Sequence, residues 1–462
     1  MNKRSELLLP AGGLSKLKTA FLYGADAVYC GVPNMSLRAT AGMSYEEVEE
    51  GVKIAHLLGK KIYLALNLYT HNYDIPHLPK YIKALNNLSP DGVIVADPGV
   101  FKYVKDNAPN IPLFISTQAN VCSSLTLRFW EEQGASLCVL GRETSFAEIS
   151  EIKKISNIKI EMFIHGAMCM SYSGRCLLSN FLANRSANQG KCAQSCRWKY
   201  KLLMSPKENL QYYDFVLEEN TRPGEYMPIE EDDRGAYILN SKDMCLLPKL
   251  PQILSAGIDS LKVEGRNKSE YYVGSVARVY RKAIDDWYNS SDTWKSEDYM
   301  QELHTLQNRG YTYGFFDGEL SHHANNYETT VSDGVYRNVG FVKMFKNDCI
   351  IVELRNNVSI GDVVELLSPL IFKPLKVKLE SIINAFDFSI VEAGKLSAGH
   401  EKSIAIPFDW IYKTGICKNN KDIEKIFPVF TLLRKFRTDL SDRDIELLKQ
   451  HSSSIDELKL NL

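Results

Sequence analysis

The hydrophobic and polar positions of the first two thirds of the chain repeat one pattern. An amphipathic helix, a glycine and a short buried strand follow one another in LKTAFLYGADAVYCGV, LRFWEEQGASLCVLGRE and LPQILSAGIDSLKVEGR. Further apolar runs in ELLLPAG, KKIYLALN, DGVIVADPG, PLFISTQA and IEMFIHGA bring the total to eight predicted strands. Strands that alternate with helices are typical of a parallel sheet covered on both faces, and eight of them predict a closed α/β barrel of the (β/α)8, TIM-like type. An open doubly wound sheet is the alternative, although no GxGxxG motif follows any of these strands.

The pattern changes near residue 330 and indicates a second domain. Short strands with closely spaced turns are predicted in NVGFVKMF, CIIVELRN, GDVVELLSP, LKVKLESI and SIAIPFDW. We therefore predict a TIM-like barrel over residues 1–325, with an insertion at 168–235 that carries a cysteine cluster. A small, barrel-like all-β domain is predicted over 330–412, followed by a polar helical tail over 417–462.

Composition narrows the class of protein. The chain has 462 residues, of which 45% are hydrophobic and 24% are charged, as is typical of globular proteins. Its net charge of -1 means that any basic surface must be local. The sequence contains no run long and apolar enough for a signal peptide or a membrane span, so we expect a cytoplasmic protein without a membrane partner. Thiols stay reduced in the cytosol, and a local group of cysteines therefore indicates metal or redox chemistry.

Polar residues follow the ends of most predicted strands. Active sites of (β/α)8 barrels lie at the C-terminal ends of the strands, so these side chains should meet at one mouth. Each residue alone is more often a cap or a loop hydrogen bond, whereas their convergence favours catalysis. The candidate catalytic residues are His165, Arg142, Glu143, Glu264 and Arg266. The candidate substrate-binding residues at or near the mouth are Asn67, Gln118, Arg175 and Lys262.

The basic residues of this set admit two interpretations. Arg142, Arg175, Arg266 and Lys262 could contact a dicarboxylate or an RNA phosphate. They could equally form ion pairs with Glu143 and Glu264, which are predicted to lie at the same mouth.

Four cysteines lie close together directly after the strand IEMFIHG. They are Cys169, Cys176, Cys192 and Cys196. Four thiolates suit a 4Fe-4S cluster or a structural zinc ion, and the spacing resembles a zinc knuckle only at the last two. Unrelated buried thiols are the alternative. The remaining cysteines lie in apolar or scattered contexts and are interpreted as small hydrophobic residues, except Cys245, which is a reserve ligand.

A basic and aromatic stretch follows within the same insertion. Between Arg185 and Lys201 the chain contains Lys191, Arg197 and Trp198 but no acidic residue. Such a stretch could bind RNA by stacking on an unpaired base and contacting phosphates. A solvated loop with one core tryptophan is the simpler interpretation.

Several segments resemble a known family. HGAMCMSYSGRCLLS, ANQGKCAQSCRWKY, TRPGEYMPIEE, LNSKDM, LKVEGRNKSEYYVGSVARVYRKAIDDW and NRGYTYGF look like the signature segments of the collagenase-like peptidases of unknown catalytic type. The likeness extends from about residue 6 to residue 410.

The resemblance implies a cytoplasmic iron-sulfur protein that acts on RNA. Its closer members are tied to conversion of the wobble uridine of certain tRNAs to 5-hydroxyuridine, with prephenate as a metabolic input. By this resemblance Cys169, Cys176, Cys192 and Cys196 are the ligands of a 4Fe-4S cluster, with Cys245 as the alternative to Cys196. The implied partners are the tRNA anticodon loop and the iron-sulfur assembly machinery.

Two other functions stay open at this point. A peptidase is suggested by the name of the family, but the sequence has neither an HExxH nor a GxSxG motif. A Cys–His pair could still be formed by His165 and Cys169. The third possibility is a non-catalytic scaffold that carries a cluster and delivers electrons to another protein.

Overall fold

The structure is a computed structural model. It describes residues 4–31, 42–169, 171–173, 175–183, 185, 191–198, 200–204, 215–219, 223–224, 226–228, 241–318, 334–397 and 402–440.

Strands and helices alternate from the beginning of the described chain. The strands are β1 Glu6–Pro10, β2 Ala27–Gly31, β3 Lys61–Leu66, β4 Gly92–Val95, β5 Leu113–Ile115, β6 Leu137–Val139 and β7 Lys159–Ala167. The helices between them are α1 Leu14–Leu22, α2 Tyr45–Leu57, α3 Leu78–Leu88, α4 Pro98–Asn107, α5 Ser124–Glu132 and α6 Phe146–Ile155. Side-chain caps fix several helix starts, as in the capping boxes of Ser44 with Glu47 and of Ser145 with Glu148.

The chain then leaves the alternating pattern and returns to it. The elements of this excursion are α7 Leu178–Ala183, β8 Tyr200–Met204, β9 Phe215–Glu219, β10 Tyr226–Pro228, β11 Asp243–Cys245 and α8 Leu250–Ser255. Strands β8, β9 and β10 form a small antiparallel sheet. Strand β11 pairs antiparallel with the end of β7, and the short β13 Tyr311–Thr312 extends that edge.

The eighth barrel strand, β12 Ser260–Val263, closes the sheet. It pairs in parallel with β1 on one side and with β7 on the other, so the eight parallel strands form a ring. The predicted TIM-like barrel is therefore confirmed, and every one of its strands was among the eight predicted from the sequence. Helices α9 Glu270–Ser290 and α10 Glu297–His304 follow.

The C-terminal domain is an antiparallel sheet with helices at its end. Its elements are β14 Tyr336–Lys346, β15 Cys349–Leu354, β16 Val358–Ser359, β17 Val363–Leu367, β18 Leu375–Lys378, β19 Lys395–Leu396, β20 Ser403–Pro407, α11 Phe408–Tyr412, α12 Asn420–Ile426 and β21 Leu432–Phe436. The main sheet has the order β18-β17-β21-β14-β15-β20.

The position of β21 corrects the predicted polar tail. Residues 417–462 were expected to be helical, yet β21 lies in the middle of the sheet between β17 and β14. Its charged residues gave a polar pattern, but Arg434 is buried because it pairs with glutamates of other elements. Residues 441–462 lie outside the described residues.

A buried arginine network joins the C-terminal domain to the barrel helices. The Arg434 guanidinium binds Glu365 at 2.7 Å and Glu302 at 2.9 Å. Arg278 of α9 binds Glu302 at 3.4 Å and donates to the carbonyl oxygen of Ser368 at 3.1 Å. We call this set, Arg434, Arg278, Glu302 and Glu365, the seam network.

Within the described residues, no helix combines the length and the apolar character that crossing a membrane requires.

Candidate active site

The loop after β5 places the amide side chains of Gln118 and Asn120 at the mouth of the barrel. Gln118 is buried, and its Oε1 accepts from the Ser116 hydroxyl at 3.3 Å. Asn67, at the end of β3, donates from Nδ2 to the same hydroxyl at 3.4 Å. Asn120 adopts the left-handed conformation, and its Oδ1 accepts from Arg175 Nε at 2.6 Å. Among the described residues, the Nδ2 of Asn120 and the Nε2 of Gln118 are buried without a hydrogen-bond partner.

The loop after β6 contributes Arg142 to the same mouth. Its Nη2 lies 3.2 Å from Glu264 Oε2, its Nη1 donates to the Ala167 carbonyl, and both charged side chains are 11% exposed. The guanidinium carbon lies 4.0 Å from the centre of the Phe163 ring, a cation–π distance. Arg142 therefore forms an ion pair with a glutamate, as one of the two interpretations predicts. Its buried Nε remains without a partner among the described residues.

Glu143 connects the barrel to the cysteine segment. Its Oε1 accepts from the Ser173 backbone N–H at 2.8 Å and from the Ser173 hydroxyl at 3.2 Å. Ser173 lies between Cys169 and Cys176, so this carboxylate fixes the segment over the mouth. The second oxygen, Oε2, is buried without a hydrogen-bond partner in the described part of the chain.

Lys262 lies on β12, and Arg266 lies in the loop after that strand; both are close to the Tyr29 ring. The Lys262 ammonium is buried and binds Glu161 Oε1 at 2.6 Å. It also lies 4.4 Å from the centre of the Tyr29 ring, and the buried Arg266 guanidinium lies 5.9 Å from the same ring. Lys262, whose charge is neutralised by Glu161, therefore forms part of the floor under the mouth.

His165 lies among tyrosine rings. A bulge in the pairing of β7 with β12 puts one extra β7 residue beside Val263, and such bulges re-aim side chains. The imidazole ring centre lies 5.6 Å from that of Tyr280 on α9 and 5.5 Å from that of Tyr311. Burial lowers the pKa of His165 to about 4, so the ring is neutral at pH 7. The structure thus places His165 next to the backbone of Glu264 but packs its side chain against α9.

The four candidate ligands differ in exposure from the other cysteines. Cys169 and Cys192 are exposed, Cys176 and Cys196 are half-buried, and none of the ten cysteines forms a disulfide. Cys192 Sγ accepts a hydrogen bond from the Gln194 backbone N–H at 3.3 Å. Within the described residues, which include all four, no three His, Cys, Asp or Glu side chains are grouped so that they could hold a metal ion.

The reserve ligand Cys245 lies in a different environment. It is buried in β11, where its Sγ lies 3.8 Å from the Tyr280 hydroxyl and 3.8 Å from Met300 Sδ. Burial raises the pKa of the Cys245 thiol to about 11. A thiol held in this way stays protonated when no metal binds it.

The predicted RNA-contacting stretch is only partly described. Lys191 is exposed, and its carbonyl oxygen accepts from Arg185 Nε at 3.0 Å. Trp198 is half-buried, and its indole N–H donates to the Ala193 carbonyl at 3.2 Å. The side chain of Arg197 lies outside the described residues.

Sequence reasoning missed three residues that shape the site. Glu161 is the counter-ion of Lys262, Asn120 holds Arg175, and Ser173 binds Glu143. Only Glu161 left a signal, since it is an acidic residue inside the otherwise apolar strand IEMFI. The other two depend on contacts between distant loops.

The fold and the site define a (β/α)8-barrel protein with a polar mouth under a cysteine-containing segment. The profile of Peptidase family U32 matches residues 12–326, which is more than half of the chain. The chain belongs to Peptidase family U32.

Similar proteins include RNA-hydroxylating ones. The tRNA hydroxylation protein P of Escherichia coli is 38% identical over 394 residues, covering 79% of this chain and 86% of that protein. The 23S rRNA 5-hydroxycytidine C2501 synthase of the same organism is 33% identical over 288 residues, covering 61% of this chain and 39% of that protein. Among solved structures, the U32 peptidase Mk0906 has a TM-score of 0.37 and 16% identity, covering 57% of this chain and 95% of that one.

Proposed function

We propose that this protein hydroxylates tRNA, converting the wobble uridine to 5-hydroxyuridine with prephenate as a metabolic input. The general assignment is supported by relatives named for tRNA hydroxylation and for synthesis of 5-hydroxycytidine in rRNA. Wobble uridine and prephenate are the finer part of the proposal, which rests on the family resemblance of the sequence.

One structural observation carries the proposal. Three buried donors at the mouth, Gln118 Nε2, Asn120 Nδ2 and Arg142 Nε, have no partner within the described residues, and neither has the acceptor Glu143 Oε2. A buried polar atom without a partner costs about 1–3 kcal/mol, so a group of them at one barrel mouth is typical of a ligand site. The uracil ring carries two carbonyl oxygens, each able to accept from one or two such donors, and one N–H that could donate to a carboxylate.

The surrounding side chains would hold the base and exclude water. Arg142 is fixed by Glu264 and by the Phe163 ring, so its remaining donor has a defined direction. The Lys262–Glu161 ion pair fills the barrel under the mouth. A substrate base would therefore lie on a closed polar floor and could not pass further into the barrel.

The cysteine segment has the donor chemistry of a 4Fe-4S cluster. Cys169, Cys176, Cys192 and Cys196 lie on one segment and form no disulfide, and Glu143 ties this segment to the mouth. Ligands that are apart in the metal-free chain are commonly brought together by the metal itself. A cluster bound there would supply electron transfer beside the substrate, and its loading would require the iron-sulfur assembly machinery.

The peptidase alternative gains no support from the site geometry. His165 would have to activate Cys169, but its buried ring packs against tyrosines, and no hydrogen bond joins the two residues in the described structure. In the scaffold alternative, this chain would carry the cluster, and another protein would modify the RNA.

Nucleoside analysis of tRNA tests the proposed function. The chain is expressed in a host strain that lacks its own tRNA hydroxylation proteins, and digested tRNA is analysed by mass spectrometry. We expect 5-hydroxyuridine derivatives to appear with the wild-type chain and to disappear when the host also lacks prephenate. Unmodified tRNA in cells that contain the folded wild-type protein would reject the proposal.

Iron analysis tests the proposed cluster independently. Anaerobically purified wild type should contain about four irons per chain and absorb broadly in the visible range. The triple change of Cys169, Cys176 and Cys192 to Ala should remove both signals, whereas Cys417→Ala, in the C-terminal domain, should keep them. Full iron in the triple variant would show that the ligands are elsewhere.

A further inference from the structure

Two loops at the mouth present large aromatic side chains to solvent. Tyr73, in the loop after β3, and Tyr172, in the cysteine segment after β7, are each 62% exposed. The Tyr73 ring is stacked on His71, with ring centres 5.3 Å apart and planes only 5° from parallel. We call His71, Tyr73 and Tyr172 the aromatic rim. Tyrosine usually buries most of its ring, so two exposed tyrosines at one mouth call for an explanation.

The two loops are joined at their bases. The Arg175 guanidinium carbon lies 5.8 Å from the centre of the Tyr69 ring, and Arg175 N donates to the Tyr172 carbonyl at 2.9 Å. The Tyr69 hydroxyl donates to the Gln118 carbonyl at 2.7 Å. Tyr69 and Arg175 therefore connect the loops that carry the aromatic rim to the loop that carries the unused donor of Gln118.

The charge of the cysteine segment favours a polyanion. The sequence has no Asp or Glu between His165 and Met204. Arg175, Arg185 and Lys191 are exposed on this segment. Glu143 is turned inward onto Ser173. On the other loop, Asp74 Oδ2 accepts from the His71 backbone N–H at 2.9 Å, so the excess of positive charge belongs to the cysteine segment. The segment therefore presents positive charge and an exposed aromatic ring together.

We propose that the aromatic rim stacks the unpaired bases that flank the target base in a single-stranded RNA loop. This inference rests on the proposed function and adds the surface by which the loop is recognised. The unpaired bases of single-stranded RNA can stack on exposed aromatic rings, while nearby basic side chains contact its phosphates. Duplex RNA hides its base faces. Trp198, predicted from the sequence as a stacking residue, is half-buried and donates through its indole N–H, whereas Tyr73 and Tyr172 are each 62% exposed.

Binding of a labelled stem-loop RNA with uridine in its loop tests the rim. Loss of one base–aromatic stack weakens binding by about 5- to 150-fold, so Tyr73→Ala and Tyr172→Ala should each fall in that range. Tyr73→Phe and Tyr172→Phe keep the ring and should bind like the wild type. The salt dependence of binding should stay unchanged in all four variants, because none removes a phosphate contact.

Two controls separate the possible failures. Phe386→Ala removes an aromatic ring that is 89% exposed on the C-terminal domain and should leave RNA affinity unchanged. Unchanged affinity of both Ala variants, with a wild type that binds the RNA, would overturn the role of the rim in RNA binding. An equal loss with Phe386→Ala would also overturn it, by moving the RNA surface away from the mouth. A wild-type protein that binds no RNA would instead overturn the proposed function.

Discussion

The mouth of the barrel and the seam network both bury an arginine against glutamates, but they use its donors differently. At the seam, Arg434 donates from Nε to Glu365, from Nη1 to Glu302 and Thr305, and from Nη2 to Glu302. At the mouth, Arg142 pairs with Glu264 and the Ala167 carbonyl and keeps Nε without a partner in the described structure.

The difference separates a structural charge cluster from a binding site. Burial alone would raise the pKa of Glu302, but Arg434 and Arg278 hold it below its usual value. That carboxylate is thus satisfied by the protein itself. Arg142, Gln118 and Asn120 each retain a buried donor without a partner in the described structure, and a bound ligand could satisfy it. Perturbed or buried charge is therefore a weaker sign of function here than unused hydrogen-bonding capacity.

The largest effect is expected at the seam. Arg434→Met leaves Glu302 and Glu365 buried without their main counter-charge, and breaking a buried pair in this way costs about 3–5 kcal/mol. Denaturant unfolding should show this loss in the free energy of unfolding. If Arg434→Met lowered the free energy of unfolding by less than Arg142→Met at the mouth, the seam network would not be structural.

Arg142→Met should lose less stability and more function. Removal of its charged hydrogen bond to Glu264 costs about 1–3 kcal/mol. Because the substrate would lose its contact, 5-hydroxyuridine in tRNA should fall to background while the protein remains folded. Retained modification in a folded Arg142→Met protein would remove the arginine from the site.

The barrel could be predicted from the sequence, because each strand and helix has its own periodic pattern. Strand β21 could not, since the burial of Arg434 depends on glutamates at positions 302 and 365. The position of Gln118 and Arg142 at the mouth could also be predicted, because each follows directly after the C-terminal end of a barrel strand. The contacts of Lys262 and His165 could not be predicted from the sequence. Their surroundings depend on the register of β7 with β12 and on the bulge between them, which leave no local signal.

A smaller effect concerns pH and His165. Its folded pKa of about 4 lies below the usual value near 6.5, so the unfolded chain binds the extra proton and stability falls as the pH drops from about 6.5 towards 4. Between pH 7.5 and pH 5.5 this residue should account for a loss of about 1 kcal/mol in the free energy of unfolding. His165→Phe should remove that part of the pH dependence. An unchanged pH profile would mean that the imidazole is not held neutral.

Gln118→Leu gives the smallest change in stability and tests the central claim most directly. The variant loses one neutral hydrogen bond but also removes a buried donor without a partner, so the free energy of unfolding should change by less than about 1 kcal/mol. Gln133→Leu, on an exposed residue at the opposite end of the barrel, is the matched control. The decisive measurement is the 5-hydroxyuridine content of tRNA from cells that express each variant. We predict its loss with Gln118→Leu and full modification with Gln133→Leu. Full modification with a folded Gln118→Leu protein would contradict the assignment of the mouth donors to the substrate.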